Sequence, residues 1–152
     1  MPGSGVGHMD FSADGSYALV SCEFSSQMLK IDIRSERVDG VLSLRSGAAP
    51  QDVKLSPDGK VFYVADMNSN GVWLVDGDAL RVLRFMPTGR GSHGLYPSRD
   101  SRSLYGTNRG EGPTPVVPFA TRRTAPTRPI AGRGPPHNAH TSPRGPTPLA
   151  HV

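Results

Sequence analysis

Three residues could do chemistry together if the fold gathers them. His8, Asp52 and His93 stand six, six and seven residues ahead of three turn signals centred on Asp14, Asp58 and Asp100. Imidazole and carboxylate side chains on one rim suit a metal ion or an anionic ligand. The competing reading is structural: polar residues at that place cap strand ends and bond loop backbone. No metal-ligand spacing joins the three, so any ligand set would have to be built from separate parts of the chain. The remaining candidates read as structural. Asp66 and Asn108 occupy matching positions and are expected to bond within the turns that follow them. Asp32 and Asp76 are expected to open turns by accepting backbone amides. Cys22 has Glu23 beside it, which does not activate a thiol. Arg90, Arg99, Arg102 and Arg109 belong to the loops of one region, as a basic patch or as solvated charge. There is no phosphate loop, Cys-x-x-Cys, paired carboxylate set or nucleophile elbow. No catalytic residue, metal site or cofactor is assigned.

The turn signals are the anchors of a repeat. Asp14-Gly15 and Asp58-Gly59 lie 44 residues apart, and Asp100-Ser101 follows 42 residues later. The context repeats too. Phe11-Ser-Ala-Asp-Gly-Ser-Tyr17 matches Leu55-Ser-Pro-Asp-Gly-Lys-Val61, and Tyr96-Pro-Ser-Arg-Asp-Ser-Arg102 keeps the outline. In Ser56-Pro57-Asp58-Gly59 the proline presets φ, the aspartate bonds its own backbone and the glycine accepts a left-handed conformation. Short runs rich in Val, Ile, Leu, Phe and Tyr alternate with such turns every 8 to 12 residues, so each unit holds four antiparallel strands. Residues 50–88 form the complete example. Several strands are apolar on both faces, which suits a sheet covered on both sides. Four-stranded units of about 40–45 residues predict β-propeller blades, with His8, Asp52 and His93 at the channel end of the innermost strands.

The motifs Leu55-Ser-Pro-Asp-Gly59, Val61-Phe-Tyr-Val-Ala-Asp66, Gly71-Val-Trp-Leu-Val-Asp76 and Leu104-Tyr-Gly-Thr-Asn108-Arg-Gly resemble the YVTN-type β-propeller repeats. That group is related to the cytochrome cd1 nitrite-reductase propeller and to the seven-bladed lactonase propellers. Gly106 departs from the Tyr-Val-Thr-Asn pattern. The resemblance covers roughly residues 5–112. It implies lactone hydrolysis or heme-linked electron transfer in complete relatives, but no residue here matches a catalytic or heme-ligating position. It also implies that relatives are often exported.

The fold class expected is all-β: a partial β-propeller of two to three four-stranded blades, at about 5–44, 50–88 and 92–119, followed by a tail over 113–152. The third blade is expected to deteriorate. Pro113, Pro115 and Pro118 remove ladder donors, so a paired strand over Val116-Val117 is not expected. Ten of the 15 prolines fall in the last 40 residues, along with five arginines and no acid. Residues 1–112 balance 12 cations against 13 anions, so the tail makes the chain basic. From Thr124 no periodicity is expected, and the tail reads as disordered. It is either a Pro/Arg-rich arm or the product of a shifted reading frame, which would make the chain a nonfunctional product. Its dispersed arginines, with Phe119 the one aromatic nearby, indicate no specific nucleic-acid partner.

One cysteine excludes an intrachain disulfide. The first residues carry no signal-peptide pattern, and no run approaches the ~20 apolar residues that span a bilayer. Closed propellers use four to eight blades. A partial ring is expected to expose apolar residues such as Val61, Tyr63 and Trp73, to be marginally stable, and to self-associate, bind a protein partner or belong to a longer parent. The function expected is a binding or scaffold module. The alternative is a remnant of a lactonase-like or heme-binding enzyme.

Overall fold

The computed structural model describes residues 3–110, 114–125, 139–141 and 148–150. The first sheet is β1 (Val6–Phe11), β2 (Tyr17–Cys22), β3 (Gln27–Asp32) and β4 (Arg37–Ser43), with a short 3-10 turn at Glu23–Ser25. The second is β5 (Pro50–Leu55), β6 (Phe62–Asp66), β7 (Gly71–Asp76) and β8 (Arg81–Pro87). The third is β9 (Ser92–Pro97), β10 (Ser103–Asn108) and β11 (Val116–Pro118). All pair antiparallel in chain order, so each sheet is a meander. No helix among the described residues is long and apolar enough to cross a membrane.

The anchor turns explain why the units begin alike. The Ser12, Ser56 and Ser98 hydroxyls donate to Asp14, Asp58 and Asp100. Each aspartate also accepts an amide two residues on, from Ser16, Lys60 and Arg102. Those bonds, led by the Ser16 amide, hold the Asp14 carboxyl down at about 2. The residue after each aspartate donates its amide to the serine carbonyl at 2.9 Å. Gly15 and Gly59 do so at φ 70°, and Ser101 at φ 56°.

The sheets stack face to face. Tyr17, Leu19 and Met28 of the first blade pack against Val53, Phe62, Val64, Trp73 and Val75 of the second. Val61, Tyr63, Val72 and Leu74 on the other face of the second pack against Leu95, Leu104 and Val117 of the third. Residues in odd register on the second strand thus face the next blade, and those in even register face the previous one. The second blade is therefore sealed on both sides. This corrects the expectation that Val61, Tyr63 and Trp73 lie exposed: each is buried. The exposed apolar residues belong mainly to the first blade.

Two further expectations are overturned. Val116–Pro118 does pair with β10. Phe119 donates its amide to the Arg102 carbonyl, and the Pro115 carbonyl accepts from Gly106. Inward bonds therefore fall at 115, 117 and 119, because an antiparallel ladder alternates. Pro118 points its nitrogen away from β10, and Pro115 only accepts, at the strand's end. On the outer side Ala125 donates to the Val116 carbonyl. The turn before it sets Arg122 at φ 52°, as Glu36 (55°) and Leu80 (48°) are set at the same step of the other blades.

Periodicity also continues past Thr124. Strands β12 (Ala139–Thr141) and β13 (Pro148–Ala150) pair as Thr141↔Pro148, His140↔Leu149 and Ala139↔Ala150. This is the Leu55↔Phe62, Lys54↔Tyr63 and Val53↔Val64 register shifted by 86 residues, two repeats. The sequence between them is Ser142-Pro143-Arg144-Gly145, a fourth anchor with arginine for aspartate. β12 lies against β9, as β9 lies against β5. The expectation of disorder falls otherwise on residues outside the described ones.

Ser101 holds a conformation that costs a side-chain-bearing residue about 1–2 kcal/mol. Ser101→Gly is expected to raise the free energy of unfolding by about 1 kcal/mol in urea denaturation. Gly59→Ala is expected to lower it by a similar amount or more, because the added Cβ also meets the Ala13 Cβ at 2.8 Å.

Candidate functional site

The innermost strands β1, β5 and β9 lie side by side. His8, Asp52 and His93 each fall in a break of the strand pairing. On β1 the register jumps between Val6 and Met9, and on β5 between Pro50 and Val53. On β9 Thr107 pairs with Gly94 while Asn108 pairs with Ser92, leaving His93 over. These are β-bulges at one step of three successive blades. A bulge places an extra residue opposite one partner and re-aims its side chain. The three candidates are thus brought to one end of three adjacent strands.

Their environments differ. The Asp52 side chain is 10% exposed and heavily engaged. Its Oδ1 accepts from Lys54 Nζ at 2.7 Å and from the Val53 amide at 2.9 Å, and its Oδ2 from the Leu95 amide at 2.9 Å. His8 is 52% exposed and brings Nδ1 only to 3.8 Å from Asp52. Burial lowers the pKa of His93 below its ordinary value. The Arg109 charge and His8 lower it further, while Asp52 and Glu23 oppose them. Among the described residues no three His, Cys, Asp or Glu side chains converge as metal ligands.

A bulge frees a backbone amide that burial requires to be bonded. In the first blade Ser21 Oγ accepts from His8 N at 3.0 Å, and in the third Thr107 Oγ1 accepts from Gly94 N at 3.0 Å. Ala65 takes that place in the second blade and has no hydroxyl. There the Asp52 carboxylate bonds the next amide along, that of Val53. Asp52 also latches blade to blade through Leu95. Asp10 does the same through the Leu55 amide at 2.7 Å. Asp10 drew no notice in the sequence, although it shares Asp52's parity two residues nearer its anchor.

The other candidates find structural roles. Asp66 is fully buried and accepts from Ala49 N, Ser69 N, Ser69 Oγ and Trp73 Nε1. Trp73 packs on Phe85 with ring centroids 4.5 Å apart, and Arg45 lies over both rings. Asn108 donates to the Thr88 carbonyl. Asp32 accepts from the Ser35 amide, and Asp76 from the Ala79 amide. Cys22 is buried, which pushes its thiol pKa up. The four arginines do not form one patch. Arg90 and Arg109 flank the bulged end of β9 and β10, and Arg99 and Arg102 the anchor turn at the other end.

The two blade interfaces close differently on the anchor side. At the first, the Tyr17 hydroxyl donates to Asp78 Oδ1 at 2.8 Å. At the second, Ala120 stands in the place of Asp78. A cavity lined by Ser56, Pro57, Asp58, Phe119, Ala120 and Arg122 opens there, spanned by the Arg122–Asp58 ion pair at 2.8 Å.

Stacked four-stranded meanders with adjacent inner strands define a β-propeller architecture, and solved structures agree. The chain is similar to the hydrazine synthase of Kuenenia stuttgartiensis (TM-score 0.85, 23% identity), covering 99% of this chain and 42% of that one. It is similar to a putative 6-phosphogluconolactonase from Bacteroides uniformis (TM-score 0.79, 21% identity), covering 95% of this chain and 46% of that one. The WD40 repeats of RRP9 align at TM-score 0.74 and 17% identity, covering 87% of this chain and 40% of that one. The chain therefore spans less than half the length of these structures. No protein-family model and no curated protein matches it in sequence.

The bulged end yields three expected outcomes. Asp52→Ala leaves the buried Leu95 amide without its acceptor and is expected to cost about 1–3 kcal/mol in chemical denaturation. His8→Ala, at an exposed ring, is expected to change stability by no more than about 0.5 kcal/mol. His93 is predicted to impose a pH slope. Its folded-state pKa is depressed, so its contribution is full above the ordinary value of 6.5 and drains away as pH falls from there toward the folded-state value. Urea midpoints measured across that window should fall in the wild type and fall less in His93→Gln. Equal slopes would remove His93 as the cause.

Proposed function

We propose that the chain is a binding module whose bulged strand ends present His8 and His93 to an anionic group of a ligand or protein partner. The observation that carries this reading is the recurrence of a bulge at one step of three blades, with a different polar side chain at each. Asp52 has its charge spent on Lys54 and on two backbone amides. It serves to organise the rim. His8 is half exposed, and His93 sits under the influence of Arg109. With Asp52 occupied by Lys54, no free carboxylate among the described residues converges with the two rings as a metal ligand, and Arg109 is the cation that acts on His93. Rigid blades suit such a role, because strands hold side chains more firmly than free loops do. The activities named for the similar structures belong to those proteins, since a shared propeller fold hosts many functions.

The test is a histidine NMR titration with inorganic phosphate and with acetate as probes. A bound anion stabilises the imidazolium, so the midpoint of His93 should move up when either probe is present. The shift should saturate and should vanish in Arg109→Gln. Midpoints that ignore both anions at millimolar concentration would sink this reading.

A further inference from the structure

The first blade interface closes its anchor end with two side chains that the second interface lacks. At the first, the Tyr17 hydroxyl donates to Asp78 Oδ1 at 2.8 Å. Gly77 leaves room for the pair, since a Cβ there would lie 2.4 Å from the Tyr17 hydroxyl. One repeat on, Val61 stands 44 residues after Tyr17, and Phe119 and Ala120 stand 42 after Gly77 and Asp78. The second interface thus regains a ring from Phe119 but loses both the hydroxyl and the carboxylate. A cavity of about 230 Å³ opens there, between the Ser56–Asp58 turn and Phe119, Ala120 and Arg122.

The acceptors around this cavity already have donors, whereas donors remain unspent. Asp58 Oδ1 accepts from the Ser56 hydroxyl and the Lys60 amide, and Oδ2 from Arg122 Nη2 at 2.8 Å. Ser56 Oγ in turn accepts the Val61 amide. Arg122 gives one N–H to Asp58, and a guanidinium carries several more. Arg84 brings a second guanidinium beside it by donating to the Arg122 carbonyl. Tyr63, two residues beyond Val61 on the same face, is fully buried, and its hydroxyl has no hydrogen-bond partner among the described residues. Its ring meets that of Phe119 edge-on, with centroids 5.6 Å apart. The charges of Arg122, Asp58 and Arg84 all act on the hydroxyl, which sets it beside the ion pair that spans the cavity. A buried hydroxyl without an acceptor is costly, so native structures seldom leave one without a reason.

We propose that this cavity binds a small carboxylate with an aromatic or compact apolar body, whose carboxylate fills the place of Asp78 and accepts from Arg122 and Tyr63. Two guanidinium groups against one carboxylate, with donors unspent, select an anion, and charge-assisted bonds hold it. Pro57, Phe119 and Ala120 supply the apolar wall for its body. The volume falls below the roughly 300–1,000 Å³ of drug-sized pockets, which suits a body the size of a single ring. The anchor turns lie at the opposite end of the strands from His8 and His93. The inference is therefore independent of the anion-binding reading at the bulged ends.

The test is isothermal titration calorimetry of the full 152-residue chain with benzoate. Saturable binding is expected. Benzyl alcohol keeps the ring without the charge and acetate the charge without the ring, so each should bind at least tenfold more weakly. Arg122→Gln and Tyr63→Phe should each weaken benzoate by about tenfold or more, as for a lost hydrogen bond to a charged group. Ala120→Asp gives the second interface the carboxylate of the first. Ala120 is exposed on a turn, so that variant folds. It should shut benzoate out while its urea midpoint holds or rises. Arg99→Gln removes a cation at the neighbouring anchor turn and should leave the affinity unchanged. If Arg122→Gln or Tyr63→Phe fails to fold, Ala120→Asp decides. The proposal is overturned by an absence of saturable benzoate binding or by benzyl alcohol binding as tightly. It is equally overturned by an affinity indifferent to any of the three cavity changes, or by a matching loss in Arg99→Gln.

Discussion

A four-stranded meander that is apolar on both faces cannot be stable alone, because burying one face leaves the other in water. The second blade escapes this by lying between two like sheets. Phe62, Val64 and Trp73 are sealed on one side, and Val61, Tyr63 and Leu74 on the other. Burying one such side chain is worth about 1.5–3 kcal/mol, a large share of the roughly 5–15 kcal/mol that keeps a domain folded. Face-to-face stacking is therefore the constraint on which the remaining structure depends. The inner strands are adjacent because the sheets stack, and the bulged rim exists because the inner strands are adjacent.

Polar groups at the blade interfaces are arranged to permit that stacking. Asp10 and Asp52 reach across to the Leu55 and Leu95 amides, so each inner strand is tied to the next by a charge-assisted bond. Asp66 spends its carboxylate on four donors inside the second blade, among them the Trp73 indole. Charge is buried only where donors already wait for it. Seen this way the rim is first a packing device. In the reading proposed above, the imidazoles of His8 and His93 are what packing leaves over for binding.

Local chemistry was the legible part of the sequence. Ser-Pro-Asp-Gly makes its turn whatever surrounds it, so the anchors at Asp14, Asp58 and Asp100 located the blades. The place of His8, Asp52 and His93 was legible from the same anchors. Their bulges were not, since a bulge appears only when a strand is laid beside its partner. Asp10 was missed for the same reason: its partner, Leu55, is 45 residues away. The proline-rich composition after Gly112 hid two features. Pro118 was read as a strand breaker, yet only the direction of its nitrogen matters. Ser142-Pro143-Arg144-Gly145 went unread as a fourth anchor because it stood in a segment whose composition argued against order.

By itself, then, the sequence determined the repeat, the turn chemistry, the four-stranded unit and the propeller class, because each rests on interactions spanning a few residues. Tertiary structure alone decided which apolar faces are covered, which strand ends bulge together and which carboxylates become latches. Those outcomes depend on what stands opposite a residue in the neighbouring sheet. Parity along a strand tells which side chains share a face, but only the stacked blades tell whether that face meets protein or water.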